Sequence, residues 1–236
     1  MPIRIDKYIA DALNVSRKQA RILIAKGRVF VNEKPLFDSG TNIEDSVDSI
    51  MVDGQKINYQ KYYYFLLNKP AGYISAKTDD KTPTVIDLFI GYERAELFPV
   101  GRLDKDTTGT MIITNNGLLT HRLINPKFNV EKEYAVTVNF PLKESLIHDF
   151  LTGFSINDEF MTKPAILTII DDFHARVIVT EGKYHQIKRM FKHFGYEVMQ
   201  LDRVRFATLS ASDLALGSYR NLTIEEINKL FRIVNL

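Results

Sequence analysis

Apolar residues in this chain recur with two different periods, and the change from one to the other limits what the chain can fold into. In "RIDKYIADAL", Ile5, Tyr8, Ile9, Ala12 and Leu13 fall at i, i+3, i+4, i+7 and i+8, one stripe of a helix. Asn14 and Val15 interrupt the stripe. Ser16 is then placed to N-cap a second helix, "RKQARILIAKG", closed by Gly27. Ala20, Leu23 and Ile24 make its inner side, and Arg17, Lys18, Arg21 and Lys26 its outer side. Beyond it come short β-type pieces, "RVFVN" and "SIMVDGQKI", with turn residues between them.

From about residue 60 the β period dominates. Tyr62 to Leu67 has strand composition, "NKPAG" reads as a turn, and "TVIDLFIGYERAEL" as a helix and loop. "TMIIT" is a short strand before a tight turn, "NNG". "EKEYAVTVNF" alternates, with Tyr134, Val136 and Val138 on one side, and "AILTII" and "ARVIVTEG" read as two further strands. In "KYHQIKRMFKHFG" the apolar stripe Ile187, Met190, Phe191 and Phe194 opposes His185, Lys188, Arg189 and Lys192. A last helix, "TIEEINKLFRIV", opens with a capping box, Thr223 and Glu226. No repeat or low-complexity segment is present. The pattern predicts an α+β protein with a mixed, largely antiparallel sheet, divided into a small module over 1–59 and a larger domain over 60–236.

Charge separates the same regions. Residues 1–34 carry eight Lys/Arg against three acids, a net +5, whereas residues 35–59 set Lys56 against five acids, a net −4. Such a module presents one basic face. The chain has no cysteine, which excludes disulfides, thiolate zinc sites and cysteine nucleophiles. Its first residues carry scattered charges and are not expected to form a signal peptide, and no apolar run approaches the roughly 18 residues that span a bilayer. A cytoplasmic monomer is expected.

The chemistry centres on "GRLDKDTTGTMIITNNG", where Asp104 and Asp106 stand two residues apart ahead of an apolar run. As a calcium loop the stretch fails, because Asn115 stands where the bidentate Glu belongs. The five histidines include no H-E-x-x-H pair, and there is no G-K-[ST] loop, G-x-G-x-x-G turn or G-x-S-x-G elbow. The aspartates either cap a turn or do chemistry without cofactor or metal. Lys69, beside Pro70 and Gly72, is either a loop charge or a substrate contact.

The words of the sequence carry two resemblances. "RIDKYIADALNVSRKQARILIAKGRVFVNEKP" resembles the RNA-binding domain of the ribosomal protein S-four type, which implies that Arg17, Lys18, Arg21, Lys26 and Arg28 touch RNA phosphates. "VGRLDKDTTGTMIITNNG", with "NKPAGY", "EKEYAV", "MTKPAIL", "EGKYHQIKRM" and "LDRVRFATLSA", is similar to the RsuA-like branch of the RNA pseudouridine synthases. Thr110 and Met111 stand where that branch usually has leucines. The resemblance implies a cofactor-free isomerisation of a uridine turned out of ribosomal RNA. It makes Asp104 the catalytic carboxylate, which needs a cationic neighbour if it is buried. It implies Lys188 as the ion-pair partner (Arg189 as second choice), and Tyr134 stacked on the uracil with Leu201 opposite. Arg102 would fill the space left by the base or hold its phosphates. Asp106 is expected to cap the turn, and Gly101 and Gly109 to let the loop fold tightly. "TKPA" leans toward small-subunit rRNA as substrate, with a large-subunit enzyme of the same branch or a non-catalytic ribosome-assembly protein as alternatives.

Overall fold

The computed structural model describes residues 2–44, 47–156 and 160–236, so Asp45 of the acidic segment lies outside the described residues. Its two compact units are Met1–Tyr62 with Tyr92–Glu96, and Tyr63–Gly91 with Leu97–Leu236. The division falls after Tyr62 rather than after residue 59, and a five-residue stretch from the middle of the chain joins the first unit.

In the first unit α1 (Ile5–Ala12) buries Ile5, Tyr8 and Ile9, the stripe read from the sequence. The next helix, α2 (Arg17–Ala25), starts in a capping box: the Ser16 hydroxyl accepts from the Gln19 amide at 3.2 Å, and the Ser16 amide donates to Gln19 Oε1 at 2.8 Å. Against them stands a four-stranded antiparallel sheet in the order Lys34–Pro35, Val29–Val31, Ile50–Val52, Gln55–Ile57. The Asp53-Gly54 hairpin has both central residues at positive φ, the twist that suits a two-residue turn. Asp6 is fully buried beneath Arg4, Arg17 and Arg21, all hydrogen-bonded to its carboxylate. Burial alone would raise its pKa. The three guanidiniums outweigh that and hold it well below the usual carboxylate range.

The second unit is built on one eight-stranded sheet. Its path runs Ile166–Ile169, His174–Val179, Lys132–Val138, Val198–Phe206, Thr108–Thr114, Tyr64–Lys69, Tyr219–Asn221, and Phe98–Pro99 pairs with Thr108–Thr114. Neighbours are antiparallel except at the centre, where Val198–Phe206 and Thr108–Thr114 run parallel. The expected α+β class with a largely antiparallel sheet is what the chain adopts. Lys132–Val138 alternates as read, burying Lys132, Tyr134, Val136 and Val138. Leu66, Ile112 and Phe206 pack in one core with Leu119 and Leu123 of α3 (Gly117–Ile124) and Leu230 of α6 (Ile224–Ile233). A second group of rings joins Phe150 of α4 (Ser145–Thr152) to Phe191 of α5 (Gln186–His193), with centroids 5.3 Å apart. Among the described residues no helix is long and apolar enough to cross a membrane.

Two readings need correction. "NNG" is not a tight turn: Asn116 N-caps α3, its side chain accepting from the Leu119 amide at 3.1 Å. "TVIDLFIGYERAEL" holds only a 3₁₀ turn over Val85–Leu88, with Gly91 at positive φ soon after.

The C-terminal helix supplies a pH test. Arg220 grips Glu226 with two bonds of 2.8 Å, and the Thr223 amide adds a third. Together they lower the Glu226 pKa from 4.5 to about 2, Arg220 contributing most and burial opposing it. A depressed carboxylate adds stability above its unfolded pKa and loses it as pH falls through the folded one. The melting-temperature advantage of the wild type over Glu226→Gln is therefore expected to shrink steadily between pH 4.5 and 2. An advantage that stayed constant across that window would contradict the pairing.

Candidate active site

The aspartate loop leads into the central strand Thr108–Thr114, and the chain fixes it by its main chain rather than by its charges. On one side Ser75 Oγ donates to the Leu103 carbonyl at 2.8 Å and accepts from the Leu103 amide at 2.9 Å. On the other, Lys69 Nζ donates to the carbonyls of Thr107 (2.7 Å), Asp104 and Pro70 (both 3.1 Å) and Lys105 (3.4 Å). Lys69, read as either a loop charge or a substrate contact, is corrected on both counts, because the side chain is fully buried and its ammonium is bonded to backbone oxygens. Burial pushes its ammonium down to about 8, with the charges of Asp106 and Asp104 opposing. Gly109, at φ +104°, lets the start of the strand lie against the Arg203 main chain, where a Cβ would meet the Arg203 carbonyl oxygen at 2.5 Å.

Held this way, the Asp104 side chain is one-quarter exposed and faces the start of α5. Lys188 Nζ lies 3.2 Å from Asp104 Oδ2, and His185 Nε2 lies 3.3 Å from Asp104 Oδ1. The same ammonium donates to both carboxylate oxygens of Asp106, at 2.6 and 2.9 Å. Asp106, expected as a turn cap, is thus a second partner of Lys188. Burial would lower the Lys188 pKa, yet hydrogen bonds to Asp106 and Asp104 raise it overall, and the Lys188 bond in turn lowers Asp106. Arg189 points elsewhere, its guanidinium 4.8 Å from the centroid of the Phe160 ring.

Asp104 opens into a tight slot of about 70 Å³ lined by Arg102, Tyr134, His185 and Leu201. Tyr134 and Leu201 come from adjacent strands and are each 9% exposed, so they offer apolar surface without being sealed in the core. Arg102 is exposed at the mouth. The sequence did not assign a role to His185, which sits in the left-handed region (φ +49°) just before α5 with the Tyr184 ring stacked on it at 3.8 Å. Among the described residues, no cluster of three or more His, Cys, Asp or Glu is placed to hold a metal. In the first unit Arg17, Lys18, Arg21, Lys26 and Arg28 are all exposed. Arg17 and Arg21 are anchored on Asp6, and Arg28 is paired in a fork with Asp53. Lys18 and Lys26 have no acidic partner among the described residues.

Matches to two family models define the chain as an RNA-modifying enzyme. A family model for RNA pseudouridylate synthases matches residues 63–193, and a model for the S4 domain matches residues 3–46. The chain belongs to the RNA pseudouridine synthase family, an isomerase with an N-terminal S4 RNA-binding domain. It is 38% identical to an uncharacterised RNA pseudouridine synthase of Bacillus subtilis, over 97% of this chain and 98% of that one. It is 37% identical to ribosomal small subunit pseudouridine synthase A of Escherichia coli, over 95% of this chain and 98% of that one. A crystal structure of a pseudouridylate synthase matches it with a TM-score of 0.68 at 34% identity, covering 97% and 99% of the two chains.

The Lys69 clamp predicts a defect without any lost contact to substrate. Lys69→Met is expected to lower stability by about 2–4 kcal/mol, since it strips several buried carbonyls of their donor. It should also slow turnover by about 10²-fold through displacement of Asp104. Thermal melting and uridine-isomerisation assays measure both; normal turnover in a protein of normal stability would refute the clamp.

Proposed function

We propose that this chain converts one uridine of small-subunit ribosomal RNA to pseudouridine in the cytoplasm, with Asp104 as the catalytic carboxylate. The uridine leaves its stack, at a cost of a few kcal/mol that is least where the base is already unpaired. Its base enters between the Tyr134 ring and the Leu201 side chain, which brings the ribose to Asp104. The C1′–N1 bond breaks, the base turns, and C5 bonds to C1′. N1 gains a proton and C5 loses one, so all atoms are retained. Lys188 holds a positive charge against Asp104 throughout, Arg102 at the mouth of the slot fills the space the base leaves in the RNA, and the S4 domain brings RNA affinity through Lys18, Lys26 and the remaining basic face.

The observation that carries this reading is the meeting, at one solvent-reachable carboxylate, of Lys188 and the slot that Tyr134 and Leu201 line. The choice of RNA is supported by the 37% likeness to a ribosomal small subunit pseudouridine synthase along nearly the whole of both chains. Tritium release from 5-tritiated uridine tests it, with small- and large-subunit rRNA transcripts as separate substrates. Release of one tritium equivalent from the small-subunit RNA alone is expected. Release only from the large-subunit RNA would overturn the choice of substrate, and none from either would overturn the activity.

A further inference from the structure

Continuous with the slot is a larger cavity of about 600 Å³ that shares seven lining residues with it, Arg102, Asp104, Tyr134 and His185 among them. Its inner wall carries two buried cations, Lys132 and Arg203, 7% and 2% exposed. They come from adjacent strands, where Lys132 pairs with Phe206 and Tyr134 with Arg203. Both charges sit against the Phe206 ring, Lys132 Nζ at 5.8 Å and Arg203 Cζ at 4.9 Å from its centroid. Arg203 Nε donates to the Thr110 carbonyl at 2.8 Å, and its buried Nη2 has no hydrogen-bond partner among the described residues. Lys132 Nζ donates to the Val130 carbonyl at 2.9 Å. The acid whose charge reaches Lys132 is Glu181, and that carboxylate is already held by Gln186, the Lys163 amide and Lys183.

Two like charges nearly sealed from water, with no counter-ion bonded to either, are a costly arrangement that apolar side chains of similar volume would avoid. The strain shows in Lys132, which burial, and then the Arg203 charge, push down to about 8. An anion in the cavity would relieve it. Uracil offers carbonyl acceptors but no counter-charge to this pair, whereas the RNA brings one negative charge with every nucleotide. We propose that Lys132 and Arg203 form a seat for a phosphodiester group of the RNA next to the uridine bound at Asp104. The unused Arg203 donors and the free protons of the Lys132 ammonium match phosphate oxygens, and these charge-assisted bonds gain strength where water is excluded. The seat fixes which nucleotide of the strand reaches Asp104.

The proposal rests on the reading that RNA is acted on at Asp104, and its test keeps the two apart. A short RNA containing the target uridine carries a neutral methylphosphonate at one phosphate at a time, from two before to two after the uridine. Affinity is measured with Asp104→Asn protein to prevent turnover. One position is expected to lose about tenfold more affinity than the others. With Lys132→Met added, that excess should largely disappear, and the slope of log Kd against log salt should fall by about one. Equal losses at every position overturn the seat, as does an excess that survives Lys132→Met. Should the doubly substituted protein not fold, Lys132→Gln, which keeps a donor for the Val130 carbonyl, takes the place of Lys132→Met with the same expected outcomes. If unmodified protein turns over the unsubstituted RNA while the scan is flat, only the seat fails; if it neither binds nor turns over that RNA, the functional reading fails first.

Discussion

Asp104→Asn is expected to lower tritium release from 5-tritiated uridine in RNA by at least about 10⁴-fold while the protein melts within about 2 °C of the wild type. The first half follows from chemistry: the amide is nearly the same size but supplies neither a negative charge nor a basic oxygen to the nucleotide in the slot. The second half follows from how the loop is held. Ser75 grips the main chain at Leu103, and Lys69 grips the carbonyls of Asp104 and its neighbours, none of which changes. Lys188 also keeps its two bonds to Asp106, so its ammonium does not lose its last partner. A partly exposed ion pair whose cation keeps a second carboxylate contributes little to folding. Paired rate and melting measurements check both halves. A variant that retained a tenth of the wild-type rate would remove the carboxylate from the mechanism.

Gly109→Ala is expected to damage the fold of the catalytic unit severely, at about 3 kcal/mol or more. Two independent costs add. At φ +104° an alanine is held in a backbone region that is essentially glycine's, which costs about 1–3 kcal/mol. Its methyl group would also stand 2.5 Å from the Arg203 carbonyl oxygen and 2.8 Å from the Arg203 amide nitrogen, both backbone atoms of a central strand that cannot step aside singly. Only displacement of the parallel pair Val198–Phe206 and Thr108–Thr114 would relieve the overlap, and that pair carries the loop of Asp104 on one strand and Leu201 on the other. The melting transition of this unit should fall by about 6–12 °C. Because the chain has two units, the transition must be assigned to the second, for instance by residue-resolved nuclear magnetic resonance signals from its strands. A shift under 2 °C would mean that the strands part more easily than their geometry implies.

What the sequence disclosed and what it hid divide along physical lines. Elements whose signals are local were legible: the capping boxes at Ser16 and Thr223, the stripe Ile187, Met190, Phe191 before Gly195, and the alternation through Tyr134, Val136 and Val138. Helix α3 was not, because Asn-Asn-Gly serves equally as a hairpin turn or as an N-cap with its first turn, and only the burial of Leu119 and Leu123 decides. Lys69 misled for a related reason. A lysine next to Pro and Gly ordinarily reaches into water, and the carbonyls that hold it belong to residues up to 38 positions later. The site was legible in part. Spacing alone left Asp104 and Asp106 as possible caps; resemblance singled out Asp104 and suggested Lys188. Neither indicated that Asp106 would share that ammonium, 82 positions away, or that His185 would stand at the second oxygen. Those contacts are made by the tertiary fold, with α5 set against the loop of the central strand. The buried pair Lys132 and Arg203 escaped notice because each is an ordinary basic residue in a strand until the register between the two strands is known.

The action of Asp104 on one uridine of small-subunit rRNA is measured most directly by carbodiimide mapping of pseudouridine in the rRNA of cells lacking this gene. The lost function is restored either by the wild-type chain or by Asp104→Asn. A single small-subunit site should vanish on deletion, return with the wild-type chain and stay absent with the variant. Every site persisting after deletion, or the missing site returning with Asp104→Asn, would contradict it.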